Sequence, residues 1–344
     1  MPGPVCRPAV LALLATALLS AGCGGSDAAS TGAAPAPRGP EDARLRAELK
    51  RATSVTPGSF PSAGGRTLQE VSDTFTSTGP QLAFASSVVT TGEHERLAFG
   101  LIDQGQRFLY APTVLYLAPT GGTSKALGPF AAPADLLITD APFRSKTAAS
   151  EESPFAAVYG TVVPLERPGT YDVLAVSKVE GQDVAAGGQI EVVRPEQDDV
   201  PDVGERPPAV ETDTLESAGG DVKAIDTRVP PGTMHDTSFA DVVGKKPTVL
   251  LFATPQLCQS RVCGPVVDIA EQLKRTYGDR VQFIHQEVFV DNQVKKGLRP
   301  PLRAFNLRTE PWLFAVDAEG RITQRLEGSF GFNAFELAIK SALR

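Results

Sequence analysis

The run Lys246-Pro-Thr-Val-Leu-Leu-Phe-Ala253 constrains this chain most. Val249 to Ala253 is apolar at every position and is bounded by prolines. A strand that is apolar throughout, rather than at alternate positions, is buried on both faces. It needs helices on both sides, so this region is predicted to be an α/β domain. The following residues supply the partners. Val266, Ile269, Ala270, Leu273 and Tyr277 recur at the spacing of one helix face, with Pro265 in the first turn and Gly278 just past the end. Arg280-Val-Gln-Phe-Ile-His-Gln-Glu-Val-Phe reads as a second strand, and Val294 to Phe305 as a proline-interrupted helical region. Leu313-Phe-Ala-Val, the turn Asp317-Ala-Glu-Gly320 and Arg321-Ile-Thr-Gln-Arg-Leu form a hairpin. Asn333 is the expected cap of a last helix, with Glu336 three residues on.

The leader points to an oxidising compartment, and cysteine usage agrees with it. Of the four cysteines, Cys6 lies in an apolar leader with one charge, Arg7, that ends Leu19-Ser-Ala-Gly-Cys23. The leader is shorter than the roughly 20 residues a spanning helix needs, and it stops at small residues, as signal peptides do. Its end resembles a bacterial lipobox, with Ser20 where leucine is usual. That resemblance implies cleavage after residue 22, diacylation of Cys23, and a protein held at the extracytoplasmic face of a cell membrane by lipid. The remaining pair, Cys258 and Cys263, would tend to oxidise outside the cytosol.

The 344 residues exceed one typical domain. A net charge of −7 argues against nucleic acid as a partner. Residues 23–79 read as a flexible Gly/Pro/Ser/Thr tether, with a short helix over residues 41–52 whose acids come first and bases last. Residues 80–194 alternate in short segments: 82–89, 96–103, 113–117, 156–163, 171–178 and 189–193. Their Pro/Gly turns, such as Arg167-Pro-Gly-Thr170, predict an all-β sandwich. The run Pro168-Gly-Thr-Tyr-Asp-Val173 resembles the late hairpin of bacterial immunoglobulin-like domains. His94, between Glu93 and Glu95, is expected on a solvated turn. Residues 195–236 are Pro/Gly-rich and acidic, and composition makes them a linker without a core.

From residue 237 to 344 the order strand, helix, strand, helix, strand, strand, helix resembles the thioredoxin-like superfamily. The residues that carry it are Val249-Leu-Leu-Phe-Ala followed by cysteines, Cys263-Gly-Pro opening a helix, and Arg308-Thr-Glu-Pro311-Trp-Leu-Phe-Ala-Val. The resemblance implies a cis peptide bond before Pro311, facing the cysteines. It also implies thiol–disulfide exchange with envelope protein thiols or disulfides, and no cofactor. The chain departs from the family in three places. Its cysteines are separated by four residues rather than two, Leu257 replaces the usual tryptophan, and Leu251 stands near the family's buried acid.

Three readings of Cys258 and Cys263 follow. In the first, Cys263 at a helix N-terminus, where amides and dipole depress a thiol, attacks a partner disulfide and Cys258 resolves it; the roles also fit in reverse. In the second, the pair is a structural staple in a binding lipoprotein, worth about 2 kcal/mol for so small a loop. In the third, the pair resembles that of Sco-like copper carriers, which use a distant histidine; His235 and His285 are off the required position, and no metal ligand is assigned. Trp312 suits either core or groove.

Overall fold

The computed structural model describes residues 40–75, 79–149 and 155–344. The leader and Cys23 lie outside the described residues.

The helix α1 (Pro40–Ala52) opens the described chain, followed by α2 (Leu68–Ser72). The strands β1 (Gln81–Phe84), β2 (Val89–Thr90), β3 (Gly92–Ile102), β4 (Thr113–Pro119), β5 (Leu127–Ala131), β6 (Ala134–Leu136), β7 (Ala157–Leu165), β8 (Gly169–Val179) and β9 (Gln182–Val193) build two sheets. Their orders are β1-β3-β7-β6 and β2-β9-β8-β4-β5. This is an immunoglobulin-like β-sandwich. Its core holds Leu97, Phe99 and Leu101 from β3 against Leu115, Leu117 and Val173 from the facing sheet. The predicted segment 82–89 divides into β1 and β2, which join different sheets. His94 is exposed as expected, but on β3 rather than a turn.

The expected tether behaves differently from residue 40 onward. Leu49 and Ala52 of α1 enter the sandwich core. Phe60, Ala63 and Val71 cover Val114, Tyr116, Leu174 and Val176 on the outer face of the second sheet. A few apolar side chains in a Gly/Pro/Ser-rich context suffice to dock the segment, since burial is roughly proportional to apolar area and not to average composition.

The thioredoxin-like half runs α3 (Phe239–Val242), β10 (Thr248–Phe252), α4 (Cys263–Tyr277), β11 (Gln282–Gln286), α5 (Pro300–Ala304), β12 (Trp312–Val316), β13 (Ile322–Glu327) and α6 (Phe332–Ala342). The sheet order is β11-β10-β12-β13, with β10 parallel to β11 and antiparallel to β12. Every residue of β10 is buried. Val249 and Leu251 pack toward α4 and α6, while Leu250 and Phe252 pack with Phe239, Leu302 and Phe305 on the other face. Trp312 belongs to this second core, stacked on Phe314, and its indole donates to Thr309 Oγ1 at 3.0 Å. The expected proline-interrupted helical region 294–305 divides into a single 3-10 turn, Val294–Lys296, and the five residues of α5.

Residues 195–236 are not a free linker but a strap bound along the α/β domain. Residues 204 and 205 exchange backbone hydrogen bonds with Ile322 on the β13 edge. Arg325 grips Asp198 at 2.7 Å, and Arg299 grips Asp213 at 2.6 Å. Ile225, Asp226, Arg228, Met234 and His235 are buried. The polar groups that composition marks as solvated are instead paired with residues far along the chain.

The two halves share one compact unit. Asp135 of β6 caps α6 from across the interface, accepting from the amides of Gly331, Asn333 and Ala334 at 3.0, 2.8 and 2.9 Å. Asn333 is therefore not the cap: the helix starts at Phe332, and a carboxylate of the sandwich satisfies its orphan donors. Glu327 accepts from the Ser87 and Val88 amides, and Arg96 donates to Ser329 O.

Candidate active site

The active-site loop leaves β10 at Ala253 and reaches α4 at Cys263. Thr254 O accepts from the Leu257 and Cys258 amides, so the chain turns back at once. Arg261 adopts φ +61°, and its amide bonds Cys258 O at 3.3 Å. That left-handed residue is the second bend, and the two bends bring the thiols together. The sulfurs of Cys258 and Cys263 and a carboxylate oxygen of Glu310 lie within 4.8 Å of one another. Both thiols are free.

The pair is unequal. Cys258 is partly exposed, while Cys263 is fully buried in the first turn of α4. Hydrogen bonding from the Cys263 thiol lowers the Cys258 thiol to about 6, against the pull of partial burial. Ser260 Oγ, 3.1 Å from Cys258 Sγ, adds to the lowering. Burial, followed by the sharing of a proton with Cys258, raises the Cys263 thiol well above its ordinary range. Of the two role assignments open from the sequence, the geometry favours Cys258 as the accessible thiolate and Cys263 as the partner in reserve. Position at the helix N-terminus does not win for Cys263, because desolvation of a fully buried thiolate opposes the helix field.

Glu310 and Pro311 form the opposite wall. Their peptide bond is cis, as the resemblance implies. Burial, with a contribution from the neighbouring Cys258 charge, pushes the Glu310 carboxyl up to about 7. A carboxyl titrating there can hold or accept a proton beside the thiols near neutral pH. Leu251, at the place of the family's buried acid, is a core residue; the acid of this site comes from the proline loop instead. An acid directly before the proline that faces the cysteines was the available signal for Glu310.

The sandwich closes one side. Residues 145–149, after β6, pack over the start of α4, where Ser145 N and Oγ each bond Asp268 Oδ2 at 3.0 Å. A Cβ on Gly264 would lie 2.8 Å from Thr147 O, so glycine permits this approach next to Cys263. Leu137, Ala149 and Phe155 of the sandwich pack in the same cluster as the cysteines. The two histidines weighed for a copper site lie elsewhere: among the described residues His235 and His285 group with Asp226, and the third group beside the cysteines is Glu310.

No protein-family model matches the chain, and no curated protein sequence matches it. Among solved structures it is similar to a thiol:disulfide interchange protein of the thioredoxin family from Chlorobium tepidum TLS, at 18% identity and a TM-score of 0.29, over 41% of this chain and 98% of that one. It is similar to a thioredoxin-like superfamily protein at 16% identity and a TM-score of 0.26, over 32% of this chain and 88% of that one. The PKD domain of the human VPS10 domain-containing receptor SorCS2 aligns at 12% identity and a TM-score of 0.18, over 35% of this chain and 77% of the domain.

Proposed function

We propose that this chain is a thiol–disulfide oxidoreductase of the cell envelope, tethered to a membrane by lipid on Cys23 and acting on the thiols or disulfides of other envelope proteins. The observation that carries the reading is the asymmetry of the pair. A partly exposed Cys258 is held at about 6, and a buried Cys263 lies behind it. A structural staple needs no such difference.

The cycle uses the side chains of Cys258, Cys263 and Glu310. The Cys258 thiolate attacks one sulfur of a partner disulfide; a mixed disulfide forms and the partner's other sulfur leaves as thiolate. Cys263 then loses its proton to the Glu310 carboxylate and attacks Cys258 Sγ. The Cys258–Cys263 disulfide forms, and the second partner sulfur leaves. Two electrons pass to the partner, and the protons end on its thiols through Glu310 and water. Run backward, the same steps oxidise a partner dithiol.

Trapping tests the assignment. Cys263→Ser in the mature chain is expected to accumulate a mixed disulfide with a disulfide peptide, located at Cys258 by mass spectrometry. Cys258→Ser is expected to form none. Equal trapping by both variants, or by neither, contradicts the reading. The tether has its own check: Cys23→Ala is expected to move the protein from the membrane fraction to the soluble fraction, and unchanged membrane association overturns lipidation at Cys23.

A further inference from the structure

We propose a second site that is separate from the thiols: Asp226, His235 and His285 form a buried binding site for one divalent ion of the zinc class. A ligating atom from each lies within 4.8 Å of the others. All three side chains are sealed, at 2%, 3% and 0% exposure. Asp226 Oδ2 is 3.3 Å from His235 Nε2, and Asp226 Oδ1 is 3.9 Å from His285 Nδ1. Ligand atoms about 2.0–2.1 Å from a tetrahedral ion stand roughly 3.3 Å apart. The two Asp–His distances therefore need only a small contraction.

Hydrogen bonding orients the donors. His285 Nε2 lies 3.0 Å from Ala253 O, a carbonyl that can only accept, so this nitrogen carries the proton. In the neutral imidazole Nδ1 is then a bare lone pair. It has no hydrogen-bond partner among the described residues, and it faces a carboxylate oxygen. Two electron-rich atoms held face to face out of water repel each other, and a cation between them removes the conflict. His235 presents Nε2 to Asp226, and its other nitrogen, Nδ1, has no hydrogen-bond partner among the described residues. Asp226 is fixed from behind by the Arg228 and Gly232 amides, at 2.8 and 2.6 Å. A histidine whose other nitrogen bonds a carbonyl, beside a carboxylate held by hydrogen bonds, is the outer-shell pattern that supports metal ligands.

A simple Asp–His hydrogen-bonded pair accounts for the His235 contact but leaves the His285 lone pair opposed to Asp226. Two imidazoles and a carboxylate suit borderline divalent ions, whereas copper(I) prefers thiolates. The ion would pin the strap to β11 directly behind the active-site loop. The next strap residue, Thr227, bonds that loop: its carbonyl accepts from the Gln256 side chain and its hydroxyl from the Gln256 amide.

The test uses the mature chain with its cysteines oxidised, unfolded with chelator and refolded with or without cobalt(II). One equivalent is expected to be retained, with visible d–d bands and no thiolate charge-transfer band. The chain holds only three histidines. Binding is expected to shift the imidazole NMR signals of His235 and His285 and to leave that of His94 in place. His285→Gln and His235→Gln should each lose the ion, while His94→Gln retains it. Zinc should displace cobalt and raise the melting temperature of the wild type but not of His285→Gln. No retained cobalt in the wild type overturns the proposal whatever the variants do. Retention by both glutamine variants, or a thiolate charge-transfer band, overturns it as well.

Discussion

Two trios of titratable side chains flank the end of the central strand β10, and access to solvent divides them. Cys258, Cys263 and Glu310 stand at an open edge, with one thiol partly exposed and the carboxyl pushed up to about 7. Asp226, His235 and His285 sit behind the same strand end, sealed by the strap. His285 touches Ala253, and the active-site loop begins at the next residue. Groups of similar chemistry therefore serve different ends. Where a sulfur can be reached, a shared proton makes it reactive. Where nothing can be reached, charge and lone pairs hold one segment against another.

The largest expected effect separates the two at once. Cys258→Ser should abolish exchange with a disulfide peptide, while Asp226→Asn should leave the alkylation behaviour of Cys258 recognisable and lower stability instead. Loss of thiol reactivity in a folded Asp226→Asn protein would merge the two trios into one site. Next is Arg228, two residues along the strap, which bonds Asp268 at 2.9 Å and the Phe143 carbonyl of the sandwich at 2.7 Å. Arg228→Ala leaves a buried carboxylate without its cation and should cost about 3–5 kcal/mol in urea unfolding. A cost below about 1 kcal/mol would mean that the strap is not structural. Asp135→Ala, which removes the cap on α6, should cost about 1–2 kcal/mol.

The smallest effects are in pH. Alkylation of reduced Cys258 should rise with pH through a midpoint near 6 and level off only well above it, once the thiolate is fully formed. Cys263 should stay unlabelled until the protein unfolds. The stability signs of the two groups are opposite. Cys258 titrates lower in the folded chain than its ordinary 9, so its contribution is present above about 9 and is lost as pH falls through 6. Glu310 titrates higher than its ordinary 4.5, so folding favours the protonated carboxyl. Its contribution is present below 4.5 and is lost as pH rises through 7. Glu310→Gln should therefore stabilise the protein at pH 8 and have little effect at pH 4. A gain of equal size at both would contradict the burial argument.

The open trio was partly legible in the sequence, because local pattern produces it. The unbroken apolar run of β10, Pro265 in the first turn of α4 and the proline before β12 are short-range signals, and each lies where it was expected. The order of the cysteines was legible, but which thiol is exposed was not, since Arg261 and Thr254 set that through loop geometry. The strap left no periodic trace. Arg228 and Asp213 find partners 40 or more residues away, and composition counts such residues as solvated. The cap of α6 shows the same limit: a local rule pointed to Asn333, and a carboxylate 198 residues upstream of that residue took the place. The short strands β5 and β6 escaped notice because the alternation they carry is too brief to register.

The reduction potential of the Cys258–Cys263 pair, measured against glutathione in the mature chain, tests the redox reading most directly. The expected value lies between about −120 and −270 mV, the span of known exchange catalysts. A value below about −300 mV, where structural disulfides lie, would contradict it and make the pair a staple.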